Sequence, residues 1–336
     1  MKMIRSIATA AATIAVAALA LTGCSGNQGG GTGGATGGDG GDGLTIGFIA
    51  MHLDSYFSSV QTGVEAAVQE AGGTVIPVSV DDDAGKEAQA FQDLISRQVD
   101  VIAVSAMDSE GTVAGIRSAV EAGIPVVCYN ACVTPEAQEE LVSAFVQSDN
   151  KSLGTFTGEF AAEYISTNLG NTATIGILNC DIFEVCKQRK AGFLEALDAA
   201  GVDYDVVADQ TEYEADKTTA TAEAILTANP EINVFWSATD GGGTGAISAI
   251  SGGGLTGKVF VFSTDMSLAL GDELEDGSIL QATTGQDGMS QGAAIVEAAQ
   301  NAVAGEQLDP YEAFIPGVLF SAEDLDAVRE WMDANK

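Results

Sequence analysis

Histidine is almost missing from this chain: His52 is the single one in 336 residues. With one candidate base and no G-x-S-x-G turn around a serine, a Ser-His-Asp hydrolase is excluded as a working reading. A zinc centre fares no better, since neither close cysteine pair, Cys128/Cys132 or Cys180/Cys186, has C-x-x-C spacing. No metal is expected. Cations are scarce as well, with thirteen Lys and Arg against forty-eight Asp and Glu and a formal net charge of −35. Phosphate backbones need a basic stripe, so nucleic acid is ruled out as a partner. Anionic lipid headgroups would be repelled too, and the acidic surplus reads as a solvated exterior. Against that background the cluster "KQRK" (187–190), just past an apolar run, calls for a specific reason.

The N-terminus is rich where the rest is poor. "MKMIR" is a short basic segment, "IATAAATIAVAALA" an uncharged apolar one, and "LTGC" closes it at Cys24. The pattern predicts a secretory signal peptide over 1–23 and not an element of the fold. It resembles the lipobox of bacterial lipoproteins, which implies lipidation at Cys24 and an extracytoplasmic chain anchored to the cell membrane. Residues 24–43 are nearly all glycine with a few polar residues, a flexible tether. The remaining four cysteines suit disulfides in an oxidising compartment, and the short loops favour Cys180–Cys186 and Cys128–Cys132.

From residue 44 onward, short β-branched runs alternate with amphipathic helical stretches. "LTIGFIA", "TVIPVSV", "VDVIAVS" and "IPVVCYN" read as buried strands, separated by segments of helical period. Strict alternation predicts right-handed βαβ units and a parallel sheet. The second half then repeats the first. "TIGFIA" (45–50) returns as "TIGILN" (174–179), and Gly47, Gly63 and Gly72 are matched at one constant interval by Gly176, Gly192 and Gly201. "SAMD" (105–108) matches "SATD" (237–240), and "VVCYN" (126–130) matches "VFSTD" (261–265). The expected fold is α/β: two doubly wound, Rossmann-like domains facing one another across a ligand cleft.

Ligands of open α/β sheets lie beyond the strands' carboxyl ends. In the first half those ends offer Asp54, Tyr56, Phe57, Met107, Asp108 and Asn130. In the second they offer Asp181, Arg189, Thr239, Asp240 and Asp265. Carboxylates, amides, a guanidinium and rings together suit a small neutral, hydroxyl-rich molecule. Asp108 and Asp240 each precede a helical stretch, so capping and ligand contact both stay open for them.

Taken together, "DSYF", "AVEAGIPVV", "SDN" (148–150), "KQRKAGF" and "TGQD" (284–287) resemble the type I sugar-binding proteins of bacterial ABC transporters, along essentially all of 44–336. The resemblance implies the periplasmic-binding-protein-like I fold: two lobes joined by three hinge crossings, closing on a sugar. It implies an N-terminal lobe of 44–148 plus 287–316 and a C-terminal lobe of 149–286 plus 317–336. It also implies ligand roles for Tyr56 and Phe57 as rings, and for Asp54, Asn130, Arg189, Tyr213, Asp265 and Gln286. Lys187 and Lys190 are then expected on the exposed side of their helix. Thr239 stands where an Asn is common in pentose binders, and Ala131 where those proteins have a second arginine. The implied partners are a monosaccharide or polyol and a membrane permease, with a monomeric chain and no cofactor.

Two other readings compete. "DGGGTGA" (240–246) satisfies G-x-G-x-x-A through Gly241, Gly243 and Ala246, with Asp265 about twenty residues on, as in an NAD-dependent oxidoreductase. The motif sits in mid-chain, however, and its repeat partner "DSEGTVA" lacks the glycines. The second keeps binding but delivers the ligand to a sensory or chemotaxis receptor.

Overall fold

The alternation of strand and helix is realised in the computed structural model, which describes residues 43–213, 215–306 and 311–335, with backbone alone at 215 and 216. The expected leader, Cys24 and the tether up to residue 42 lie outside the described residues.

The first half runs β1 (Thr45–Ala50), α1 (Ser55–Glu70), β2 (Thr74–Ser79), α2 (Ala84–Ser96), β3 (Val101–Val104), α3 (Val113–Glu121), β4 (Val126–Tyr129), α4 (Pro135–Leu141) and β5 (Ala144–Ser148). The second runs α5 (Asn150–Asn168), β6 (Thr172–Asn179), α6 (Glu184–Ala200), β7 (Asp203–Thr211), α7 (Ala215–Ala228), β8 (Val234–Ser237), α8 (Asp240–Gly252), β9 (Phe260–Thr264), α9 (Leu268–Asp276) and β10 (Leu280–Gly285). α10 (Gly288–Ala304) and β11 (Glu312–Ile315) return to the first half, and β12 (Val318–Ser321) with α11 (Leu325–Ala334) completes the second.

Two six-stranded sheets result, in the orders β11-β5-β4-β3-β1-β2 and β12-β10-β9-β8-β6-β7. All neighbours are parallel except β10 and β12, which run antiparallel. The central strands are buried on both faces because helices cover both sides, which is why they read as continuous apolar runs. Each sheet has an apolar cluster on either side. The chain passes from one sheet to the other at 148–150, at 285–288 and at 315–318.

The repeated glycines have one physical explanation in both halves. A Cβ on Gly63 would stand 2.4 Å from the Met289 carbonyl oxygen, and one on Gly192 would stand 2.2 Å from that of Lys151. They let α1 approach α10 and α6 approach α5. Gly72 and Gly201, after those helices, are both left-handed, at φ 74° and 68°, and turn the chain into β2 and β7. The run in "DGGGTGA" is likewise explained by packing. A Cβ at Gly242, Gly243 or Gly245 would lie 2.1, 2.5 or 2.2 Å from the hydroxyl of Ser237, Ser263 or Thr218.

Candidate functional site

The carboxyl ends of both sheets meet at a cavity of about 260 Å³. Asp54, Ser55, Tyr56 and Ser59, from the start of α1, form one wall. Asp240, Asp265 and Met266 face them from the second sheet, and Gly285 and Gln286 lie at the crossing between the two. Trp331 and Asn335 of α11 complete the lining.

Asp265 is the electrostatic centre. It follows β9 in a left-handed conformation (φ 64°), and its repeat counterpart Asn130 follows β4 in the same one (φ 57°). Aspartate and asparagine tolerate this region better than other non-glycine residues. The Arg189 guanidinium donates to Asp265 Oδ2 at 2.6 Å, to the Ala238 carbonyl at 3.0 Å and to Asn150 Oδ1 at 3.1 Å. Arg189 is only 6 % exposed, so it meets the cavity through Asp265. The Gln286 amide donates to Asp265 Oδ1 at 3.4 Å, while its carbonyl accepts from Ser148 Oγ at 2.7 Å. One connected network thus runs from the end of β5 in the first half to α6 in the second.

On the opposite wall Asp54 caps α1, accepting from the Phe57 amide at 2.8 Å. His52 joins the wall to the loop after β2, with Nδ1 2.9 Å from Asp82 and Nε2 3.2 Å from Asp54. The Asp82 contact first, opposed by burial and assisted by Asp54, raises its pKa above 6.5. The Tyr56 hydroxyl donates to Gln291 Oε1 at 2.5 Å, and burial pushes it well above the usual phenol range. Phe57 is placed differently from Tyr56. It is 4 % exposed and packs edge-on against Tyr129, His52 and Tyr56, in the core and outside the cavity lining.

The other sequence candidates divide. Asp240 lines the cavity, and burial, with Asp265 nearby, raises its carboxyl pKa. Thr239 caps α8 by accepting from Gly242 N at 3.1 Å. Asn130 is half-buried and donates to Ser105 Oγ at 3.1 Å, outside the lining. Tyr213 sits after β7, edge-on to Phe183 at 5.6 Å. Asp108 takes the turn role, accepting from the amides of Glu110 and Gly111, and the Gly111 bond foremost lowers its pKa. Lys187 is exposed and pairs with Glu184. Lys190, expected on the exposed side, is instead half-buried, because it bridges two carboxylates, Asp181 just past β6 and Asp209 on β7. Among the described residues no group of His, Cys, Asp and Glu side chains is arranged to hold a metal ion.

A family model described as periplasmic binding protein domain matches residues 46–307. The chain belongs to the periplasmic binding protein family. Within it the chain is of the type I, sugar-binding kind. It is 33 % identical over 254 residues to the ABC transporter periplasmic-binding protein YphF of Escherichia coli, covering 75 % of this chain and 78 % of that one. Identity to a D-ribose/D-allose-binding protein of Pseudomonas aeruginosa is 27 %, over 75 % of this chain and 80 % of the relative. Among solved structures, an ABC transporter periplasmic solute binding protein from Actinobacillus succinogenes with bound D-allose superposes with TM-score 0.70. It is 27 % identical over 84 % of this chain and 99 % of that chain. As the family's members are, this protein is an extracytoplasmic solute-binding protein and not an enzyme.

Sequence reasoning missed Ser55, Ser59, Met266, Trp331 and Asn335 as lining residues. The two serines stand one helical turn apart on α1, on the face that Tyr56 shares, and that spacing was a usable signal. Trp331 carried none, since α11 reads only as an amphipathic helix.

Proposed function

We propose that this protein captures a monosaccharide or small polyol and delivers it to the membrane permease of an ABC transporter. The observation that carries the reading is the cavity itself. Three carboxylates (Asp54, Asp240 and Asp265), two serine hydroxyls and the Gln286 amide converge there beside the rings of Tyr56 and Trp331. Carboxylates accept from sugar hydroxyls, and rings cover C–H faces. A cationic ligand would answer the carboxylates too, but Arg189 already offsets Asp265. Support also comes from relatives named for ribose and allose binding and from the neighbour with bound D-allose.

In this reading the lobes are 44–148 with 287–316 and 149–286 with 317–336, and they close about the three crossings. Asn130, Thr239 and Tyr213 reach the ligand in the closed state, with Phe57 bracing Tyr56 from behind. The chain acts as a monomer tethered through lipidated Cys24 and the glycine-rich segment. Thermal-shift screening against pentoses, hexoses, polyols and nucleosides tests this. A ligand at 100 times its dissociation constant adds about 2.7 kcal/mol of apparent stability. A response to nucleosides alone, or to none of the panel, contradicts the reading.

A further inference from the structure

The two disulfides occupy related places. Cys128, within β4, is bonded to Cys132 in the turn that follows, and Cys180, directly after β6, to Cys186 in the first turn of α6. Both sit at the carboxyl end of a strand, one in each half. Bridges across such short loops remove little entropy from the unfolded chain compared with long ones. Global stabilisation is therefore a weak reason for having two of them here.

What the bridges enclose is more informative. Cys128–Cys132 spans Tyr129, Asn130 and Ala131, with Asn130 in the left-handed region. Inside the loop the Ala131 amide donates back to the Tyr129 carbonyl at 2.6 Å, and the Ala131 carbonyl accepts from Ala106 at 3.0 Å. The counterpart Asp265 is held in the same backbone conformation without a bridge. There Thr283 Oγ1 donates to its carbonyl at 2.8 Å, and Arg189 grips its carboxylate.

Cys180–Cys186 makes up for a different lack. Asp54 and Thr239 cap α1 and α8 with side-chain acceptors, but Phe183, at the same position of α6, gives no cap bond. The end of the preceding loop and the first turn of the helix pack loosely: Ile182, Phe183 and Val185 are 65, 48 and 41 % exposed. One carboxylate oxygen of Asp181 is buried without a hydrogen-bond partner. The bridge ties this loop to the helix three residues ahead of Arg189, on the same helical face.

We propose that the two disulfides are positioning elements of the binding site, one in each lobe. Cys180–Cys186 sets the start of α6, and with it Arg189 and the Phe183–Tyr213 contact. Cys128–Cys132 sets the Asn130 turn. The proposal rests on the cleft being the solute site.

The test compares the full chain with Cys180→Ala/Cys186→Ala and with Cys128→Ala/Cys132→Ala. Ile116→Val, in the first-lobe core and away from the cleft, serves as a stability control. Hydrogen exchange of the ligand-free proteins reads the positioning directly, and calorimetric titration with D-ribose, D-allose and myo-inositol reads its effect. The expected result is faster exchange confined to 181–190 or 129–132 in the respective variant. Kd for the sugar that binds should rise about three- to tenfold, with Ile116→Val binding normally. Unchanged exchange in those segments overturns the proposal, as does an equal rise of Kd in Ile116→Val or failure of either variant to fold. If none of the three compounds binds the unaltered chain, the exchange arm still decides the positioning role, and the wider thermal-shift panel decides the functional reading.

Discussion

Arg189 is buried with three acceptors around it, and each loses a donor if the side chain is cut back. Arg189→Ala should weaken sugar binding ten- to a hundredfold, corresponding to about 1.5–3 kcal/mol for charge-assisted bonds. Lys187→Ala, on the exposed face, should change binding and stability by less than about 0.5 kcal/mol. Calorimetric titration of both variants checks the contrast, and equal losses would refer the cluster to general electrostatics. Asp240 supplies a pH test. Its folded pKa is raised above 3.8, first by burial and then by Asp265. Between the unfolded value and the raised one, the native state holds more protons than the unfolded chain, so this group's contribution to stability falls as pH rises through that window. Asp240→Asn should therefore raise the thermal midpoint at pH 7.5, with the gain shrinking toward pH 4. A gain that grows on acidification would contradict the assignment. At this scale the sequence was partly legible. "DSYF" marked the α1 wall, but neighbouring helical residues point about 100° apart, so Tyr56 reaches the cavity while Phe57 enters the core. The partners of Lys190 were hidden because Asp209 lies on another strand, a tertiary fact with no local pattern.

Strands and helices were the most legible layer, since periods of 2 and 3.6 are local properties and the central strands are short apolar runs, such as "VIAV" and "VFWS". β11 and β12 escaped notice because "EAFI" and "VLFS", with one β-branched residue each, follow one another without the intervening helix that announces β3 and β4. The close approach of α5 to α6 is what places Arg189, and it depends on Gly154. A Cβ there would lie 1.7 Å from the Arg189 carbonyl oxygen and 2.6 Å from its carbon. Backbone cannot swing aside as a side chain can, so Gly154→Ala should push α6 away. We expect a loss of about 1–3 kcal/mol in urea unfolding, together with weaker sugar binding. Gly252→Ala, with nothing within 4 Å of the new Cβ, is the control and should be neutral or slightly stabilising. Similar losses at both sites would mean that intrinsic helix effects, and not the helix crossing, dominate.

The whole molecule combines an internal repeat with an acidic exterior. The carboxyl ends of the two sheets share one cleft, and in the proposed reading a solute meets a complete set of partners only when both walls reach it. At the N-terminus, Cys24→Ser should release the protein from the membrane fraction, and retention after a high-salt wash would contradict the lipid anchor. A ligand that contacts Asp54 and Tyr56 on one wall and Asp240 and Asp265 on the other must favour the state that brings them together. The most direct test is small-angle X-ray scattering of the chain from residue 44 onward, free and saturated with the tightest-binding sugar. A smaller radius of gyration is expected in the saturated sample. A radius unchanged at proven saturation would contradict capture by closure.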